Sequence, residues 1–261
     1  GGYLNVDSRL RVNPRKYFQE TFIESGVCKP EEIVAGCHCI APNYLRHQLQ
    51  QSLQNLGLET VDIYYLHNPE TQLSEVRPAE FMVRMRRAFE TLEEAVVQGK
   101  IQYYGTATWN GYRVDPSARE YLSVSELASL AESVAGSSHH FRFIQLPYNL
   151  AMPEAFVLEN QMNGDQRVSL TEAAAERGIT VISSASILQT RLARGLPEDI
   201  REKIAGLKTD AQRAIQFIRS TPGITSALVG MSRVMHVEEN LETAKTPPMT
   251  IEEFLRLFSE A

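Results

Sequence analysis

The stretch from Val61 to Trp109 decides the fold: VDIYYLH at Val61–His67, a long middle segment, and then IQYYGTATW at Ile101–Trp109. Both outer runs are rich in β-branched and aromatic residues, which is typical of strands. In the middle segment, FMVRMRRAFETLEEAVVQG, apolar residues recur three and four positions apart and the segment ends in glycine, which predicts a helix. Strand, helix and strand in this order predict a parallel pair joined by a crossover helix.

The same alternation continues toward the C-terminus. Three further runs with strand character are FRFIQLPYN (Phe141–Asn149), ITVISSAS (Ile179–Ser186) and ITSALVG (Ile224–Gly230). Helical spacing marks the segments VSELASLAESVA, SLTEAAAERG and DAQRAIQFIRSTPG. Successive runs begin about 40 residues apart, which is enough for a strand and its crossover helix. The alternation predicts an α/β fold with a parallel sheet, either doubly wound or a (β/α) barrel.

The segments outside this pattern are less regular. Residues 1–30 have no clean period and are expected to form a long loop carrying a short helix, and residues 31–42 could hold one short strand. NYLRHQLQQSLQNLGL then reads as an amphipathic helix ending at Gly57, and the tail TIEEFLRLFSEA also has helical spacing. No domain linker interrupts the chain.

Composition excludes several classes of protein. The 261 residues are 43% hydrophobic and carry a formal net charge of −6, so no basic stripe for nucleic acid is expected. No apolar run approaches the roughly 18 residues of a membrane span, and no secretory signal is visible, which predicts a cytoplasmic protein.

Cys28, Cys37 and Cys39 are too few for a disulfide framework. Cys37-His38-Cys39 lacks a second ligand pair, so no metal site is predicted.

Polar residues follow every predicted strand, where ligands of parallel α/β folds bind. Alone, each position is explained better by ordinary loop chemistry, whereas five together favour a binding site. The run after the last strand can present backbone N–H groups and Arg233 to an anion such as a nucleotide phosphate. The strand-end residues are His67 and Asn68, Thr106 to Asn110, Gln145 and Asn149, Ser183, Ser184 and Ser186, and Gly230 to Arg233, with Ser232 among them.

Five motifs resemble those of the aldo-keto reductases, in the same order along the chain. They are QSLQNLGLETVDIYYLHNPE, GKIQYYGTATWN, FIQLPYNL, AAAERGITVISSASILQTRL and SALVGMSRVMHVEENL, and they span about Gln50 to Leu241. The resemblance implies an eight-stranded (β/α) TIM barrel that reduces a small-molecule carbonyl substrate with NADPH (NADP), less often with NADH. It also implies that the cofactor lies extended across the carboxyl face of the sheet.

The resemblance assigns roles to individual residues. His67 matches the family's active-site histidine, which helps to orient the substrate carbonyl. Gln145 matches the glutamine that holds the nicotinamide carboxamide, and Glu239 with Asn240 matches the pair at the adenine. The residues that match the family's motifs are His67, Gln145, Glu239 and Asn240.

Other positions depart from the family pattern. Asn110 is expected to substitute for the family's Ser-Asn pair, where this chain has Ala107 and Thr108. Ser184 stands where many members have an aromatic residue that stacks on nicotinamide. The usual phosphate-reading Lys and Arg are replaced by Gly230 and His236, and Arg233 is expected to contact the 2′-phosphate instead.

The family's catalytic Asp, Tyr and Lys have no counterparts in this chain, where strands 4 to 8 of the barrel are recognised. We therefore expect an N-terminally truncated, single barrel domain over residues 1–261, which alone is inactive. Residues 1–42 would be a loop or insert after strand 3, residues 43–241 the barrel units and residues 242–261 a C-terminal helix. One alternative has His38 replace the lysine. Another makes the chain a catalytically incompetent accessory or structural protein, bound to another chain that completes the barrel.

Overall fold

The computed structural model describes residues 13–259, which divide into two compact units at Phe143 and Ile144. Each unit contains parallel strands with helices between them, so the predicted α/β fold with a parallel sheet is confirmed. The boundary between the units falls inside β3, so this strand is counted in both. The strand order is β1-β2-β3 in the first unit and β3-β6-β7 in the second. The strands are β1 (Val61–His67), β2 (Ile101–Ala107), β3 (Phe141–Pro147), β4 (Gln161–Asn163), β5 (Gln166–Val168), β6 (Thr180–Ser184) and β7 (Ile224–Ala227).

The first unit is built around β1 and β2, which pair in parallel with Val61 opposite Ile101 and His67 opposite Ala107. Its core includes Phe89 of α3, which stacks on Phe141 with ring centroids 5.2 Å apart. Gly105 lies in β2 where a Cβ would overlap the carbonyl oxygen of Phe143, so only glycine fits there. The helices of this unit are α1 (Pro14–Phe18), α2 (Pro42–Leu56), α3 (Pro78–Val97) and α4 (Val124–Ala135).

In the second unit, β6 and β7 pair in parallel, and β4 and β5 form an antiparallel hairpin. The ring of Tyr148 stacks on Phe217 of α8 at 5.4 Å, and Phe254 of α10 packs on Phe217 at 5.5 Å. These aromatic contacts join the residue that follows β3 to α8 and α10. The helices are α5 (Glu154–Val157), α6 (Leu170–Glu176), α7 (Glu198–Lys203), α8 (Asp210–Ser220), α9 (Val234–Glu242) and α10 (Ile251–Leu255).

Several boundaries differ from the sequence predictions. All five predicted strands are confirmed, but the last four end about two or three residues earlier than predicted. Residues 31–42 contain no strand: at residues 34–38 the chain forms a tight turn closed by a bridge between Val34 and His38, with Ala35 and Gly36 in the left-handed region. In the tail, the α-helix is limited to Ile251–Leu255.

The β4–β5 hairpin was not predicted. Its turn consists of Gly164 and Asp165, between the paired residues Asn163 and Gln166, and Gly164 has a φ of +59°, a conformation that glycine adopts readily. Within residues 13–259 the two units contain pieces of open parallel sheet, so the closed eight-stranded barrel stays a prediction. None of the described helices is both long enough and apolar enough to cross a membrane.

Candidate functional site

His67 is the last residue of β1, where the strand gives way to a loop at the carboxyl end of the sheet. Its side chain is exposed, while its backbone carbonyl accepts a hydrogen bond of 2.9 Å from Nε2 of His38. Partial desolvation lowers the pKa of the His67 imidazole, which keeps the ring neutral at pH 7. A neutral ring can donate one N–H to a substrate oxygen.

A chain of buried polar groups stands behind this histidine. Nδ1 of His38 accepts a hydrogen bond of 2.7 Å from the Gln72 amide, whose oxygen accepts one of 2.7 Å from Arg84. These bonds assign the proton of His38 to Nε2, which faces the carbonyl of His67. Burial lowers the pKa of His38 to about 4, so this ring is neutral too.

The alternative in which His38 replaces the family's lysine is wrong on this geometry. A substitute for lysine must carry a positive charge beside the substrate, but the His38 side chain is fully buried and its pKa is low. Both of its ring nitrogens are engaged, one by Gln72 and one by the His67 carbonyl. His38 is therefore a positioning residue for the end of β1.

The loops after β1 and β2 are tied together by main-chain and carboxylate bonds. Asn68 takes a left-handed conformation with a φ of +46° and donates its N–H to the Ala107 carbonyl at 2.6 Å. Oε1 of Glu70 accepts the backbone N–H groups of Trp109, Asn110 and Gly111 at 2.8, 3.2 and 3.4 Å. Burial raises the pKa of the Glu70 carboxyl group, and these backbone bonds oppose that shift.

Asn110 is held at both its backbone and its side chain. In addition to the bond from its N–H to Glu70, its amide donates to Oε1 of Glu120 at 2.9 Å. The first unit thus places His67 and Asn110 after neighbouring strand ends, connected through the Glu70 loop. The cofactor role of Asn110 stays a prediction.

In the second unit, the carboxyl ends of β3 and β6 also lie side by side. The Tyr148 N–H donates to the Ser184 carbonyl at 3.2 Å, and the Asn149 amide donates to the Ala185 carbonyl at 3.0 Å. Gln145 and Ser184 are half-buried on these two strands. The structure therefore groups these two predicted cofactor residues within one unit.

The remaining predicted cofactor residues lie on the segment from β7 into α9. Arg233 is the N-cap of α9 and has an extended backbone, and its side chain makes no capping bond to the first turn. The first-turn N–H groups, the Ser232 hydroxyl and the exposed Arg233 guanidinium form a donor set that suits a phosphate. A Cβ at Gly230 would meet nothing within 4 Å, so no close backbone approach needs glycine there.

Farther along α9, Glu239 and Asn240 are half-buried. The Glu239 carbonyl accepts a hydrogen bond of 2.8 Å from the Gln212 amide of α8, which fixes this turn of the helix. Their predicted contact with the adenine remains a prediction.

Sequence reasoning missed the residues that orient the loops, above all Glu70 and Gln72. Both lie within five residues of His67, in the run HNPETQ. A carboxylate three residues after the end of a strand is the available signal, but the sequence does not show that its partners lie about 40 residues further on.

Comparison with known proteins gives one family. Residues 14–134 match the model described as the aldo/keto reductase family. L-glyceraldehyde 3-phosphate reductase of Escherichia coli O157:H7 is 23% identical over 247 residues, covering 82% of this chain and 62% of that protein. A probable voltage-gated potassium channel subunit beta of Arabidopsis thaliana is 24% identical over 218 residues, covering 76% of this chain and 60% of that protein.

Solved structures show the same fold. The holo form of an aldo-keto reductase from Bacillus halodurans has a TM-score of 0.60 at 18% identity, with 86% of this chain and 67% of that chain covered. An aldo-keto reductase from Klebsiella pneumoniae in complex with NADPH has a TM-score of 0.55 at 22% identity, with 82% of this chain and 63% of that chain covered.

The chain spans about three-fifths of the length of the E. coli reductase that it matches. The match of residues 14–134 to the aldo/keto reductase family model, the related reductases and the shared parallel α/β fold together show that this chain is similar to the aldo/keto reductases.

Proposed function

We propose that this chain belongs to an oxidoreductase that transfers hydride between NADP(H), with NAD(H) as the alternative, and a small carbonyl substrate. The observation that carries the proposal is the placement of His67, a neutral histidine at the carboxyl end of a parallel strand. Its backbone is anchored by the buried and equally neutral His38. Parallel α/β folds bind their ligands at this end of the strands.

The second unit supports the cofactor part of the proposal. Arg233, Ser232 and the start of α9 would hold a phosphate of the dinucleotide, with Arg233 at the 2′-phosphate. Gln145 and Ser184 would contact the nicotinamide end, Asn110 would assist from its loop, and Glu239 with Asn240 would contact the adenine. Two related structures from Klebsiella pneumoniae hold NADP or NADPH. When bound, the cofactor supplies the hydride.

In this proposal His67 orients the carbonyl group of the substrate by donating one ring N–H to its oxygen. The interaction strengthens as negative charge develops on that oxygen, so it favours the transition state over the bound substrate. His38 contributes indirectly, because its bond to the His67 carbonyl limits the movement of the strand end.

The proton for that oxygen is proposed to come from a tyrosine outside residues 1–261, assisted by a lysine and an aspartate. A tyrosine serves as acid near neutral pH when nearby charge lowers its pKa. Here burial does the opposite: it raises the pKa of Tyr65 to about 12 and raises those of Tyr44, Tyr64, Tyr104, Tyr112 and Tyr148 still further. These rings suit packing rather than proton transfer.

The proposal includes the architecture predicted from the motifs, a single barrel domain with β1, β2, β3, β6 and β7 as strands 4 to 8. Support comes from the order of the five motifs along the chain and from the fold shared with the solved relatives.

Two measurements test the proposal. Fluorescence titration of the folded chain with NADPH should show binding, and the absence of binding at millimolar cofactor would contradict the proposal. NADPH consumption with benzaldehyde should be negligible for residues 1–261 alone. It should appear when a segment carrying Asp, Tyr and Lys, taken from a related reductase, is fused in front. This recovered turnover should fall at least about 100-fold in His67→Ala, the lower range for general acid–base groups.

A second candidate is an accessory protein that binds another chain instead of reducing substrates. The observation that favours it is the match to the Arabidopsis channel subunit beta, covering 76% of this chain. It predicts that the fused chain binds a partner chain but shows no NADPH consumption with aldehydes, ketones or quinones. Turnover that depends on His67 would instead support the oxidoreductase.

A further inference from the structure

Two cysteines lie in contact inside the first unit. The Sγ atoms of Cys28 and Cys39 are 3.6 Å apart, and the side chains are 2% and 0% exposed. Cys37, the remaining cysteine, is half-buried. A disulfide needs sulfurs about 2 Å apart, so closing this pair requires a shift of about 1.5 Å, within the reach of side-chain rotation and small backbone adjustment.

We propose that Cys28 and Cys39 form a reversible intramolecular disulfide when the protein meets a hydroperoxide. The pair is a redox modification site that covalently closes the segment between the two residues. It is independent of the proposed oxidoreductase function, because it rests only on the geometry of the two thiols.

The environment makes Cys39 the attacking sulfur. Cys28 donates its S–H to Cys39, and the Ala41 backbone N–H donates to the same sulfur at 3.5 Å. The bond from Cys28, the bond from Ala41 and the positive charge of Arg84 lower the pKa of Cys39 and outweigh burial and the charge of Glu32, which raise it. The bond to Cys39 and burial raise the pKa of Cys28. A thiolate is the reactive form of cysteine, and low pKa values favour it.

The reaction has two steps. The Cys39 thiolate attacks one peroxide oxygen, the O–O bond breaks, and the products are a sulfenic acid and hydroxide, which takes up the thiol proton as water. The Cys28 sulfur then attacks the sulfenic sulfur; the S–S bond forms, the S–O bond breaks, and the departing hydroxide takes the Cys28 proton. Two thiols thus lose two electrons, and one hydroperoxide is reduced, to two waters in the case of hydrogen peroxide.

A small oxidant would approach from a cavity beside the pair. This cavity of about 230 Å³ is lined by Lys29, Ile40 and Ala41, which include the chain neighbours of both cysteines, while the two cysteines themselves are buried. The same cavity is lined by Gln72 and Arg84, the residues that continue the hydrogen-bond chain from His38.

The disulfide would constrain residues 28–39, the segment that contains His38. His38 directly precedes Cys39, and its ring binds the carbonyl of His67. Closing the loop from Cys28 to Cys39 therefore restrains the residue that positions the end of β1. The expected local sign is slower hydrogen exchange in residues 28–39 of the oxidised protein.

The experiment treats the full chain with hydrogen peroxide, quenches it with acid, and alkylates the remaining thiols under denaturing conditions. The expected result is one alkylated cysteine instead of three, with an intact mass lower by two hydrogens before alkylation, and full reversal by dithiothreitol. A Glu-specific protease then separates Cys28, in residues 25–31, from Cys37 and Cys39, in residues 33–59. The two peptides should stay joined until they are reduced.

Matched variants identify the sulfurs. Cys37→Ser should form the cross-link as the wild type does, whereas Cys28→Ser and Cys39→Ser should not. Because the wild-type peptide map needs no variant, poor folding of a buried serine variant leaves the test intact. Three free thiols after peroxide treatment, a link through Cys37, dimers joined by disulfides, or sulfinic acid as the sole product would each overturn the proposal.

Discussion

Oε1 of Glu70 accepts the backbone N–H of Trp109 at 2.8 Å and thereby binds the loop after β1 to the loop after β2. The side chain is 6% exposed, and no described residue pairs with its second oxygen, Oε2. A buried carboxyl group is costly unless its bonds compensate for lost hydration, and here one oxygen serves three N–H groups. Glu70 therefore organises the loop that carries Asn110.

Glu70→Ala should lower stability by about 2 kcal/mol or more, because it leaves several buried N–H groups without an acceptor. Glu70→Gln keeps an oxygen in place and should cost less. The measurement is the shift of the urea unfolding midpoint. Glu90→Gln, on the exposed side of α3, is the matched control and should change the midpoint little. Equal midpoints for Glu70→Ala and the control would show that the loops hold together without Glu70.

His38 should make the protein sensitive to acid. Its pKa falls from 6.5 to about 4 on folding, so the unfolded chain binds the proton more tightly than the folded one. The stability that the neutral ring contributes is present above pH 6.5 and is lost as the pH falls toward 4, amounting to about 3 kcal/mol in all.

Unfolding midpoints of the wild type and of His38→Gln, measured between pH 7 and pH 4, test this expectation. The wild type should lose stability more steeply than the variant across that window, even if the variant is less stable at pH 7. His236→Gln in α9 is the matched control and should retain the steep wild-type dependence. Parallel curves for the wild type and His38→Gln would rule out His38 as the acid-sensitive group.

The sequence predicted the strands because their signal is local. Val61–His67 is recovered at its full length, since β-branched and aromatic residues fill it and the polar pair His67-Asn68 ends it. The turn at residues 34–38 was not predicted, because hydrophobic residues there read as strand, while Ala35 and Gly36 adopt left-handed conformations that only the folded chain reveals.

Gly105→Ala should destabilise the protein strongly. The new Cβ would overlap the backbone oxygen of Phe143, which cannot rotate away as a side chain could. The cost should reach about 3 kcal/mol, the upper range for overpacking in a tight core. Gly230→Ala is the control, because open space surrounds that position and the change should stay within about 0.5 kcal/mol. The measurement is the thermal unfolding midpoint of each variant. Similar midpoints for the two variants would contradict the close approach of the Phe143 carbonyl oxygen to Gly105.

The sequence predicts only those residues of the candidate site that stand at strand ends. His67 stands at a strand end, and strand ends are visible in the sequence. From sequence alone His38 is a candidate for a charged substitute for lysine, because the sequence does not show that it is buried between Gln72 and the His67 carbonyl. Such a role depends on residues distant in the chain, and only the folded structure brings them together.

Arg233→Ala should weaken the binding of NADPH more than that of NADH. In the proposed function the guanidinium contacts the 2′-phosphate, which NADH lacks, and charge-assisted bonds of this kind contribute about 1.5 to 3 kcal/mol. The dissociation constant for NADPH should therefore rise about tenfold or more, while that for NADH stays near its wild-type value. Fluorescence titration of the folded chain measures both constants and needs no catalytic turnover. Arg256→Ala removes another exposed arginine of the same unit and should leave both constants unchanged. An equal rise in the dissociation constants of both cofactors would show that Arg233 makes a pyrophosphate or structural contact. It would contradict the proposed contact between Arg233 and the 2′-phosphate.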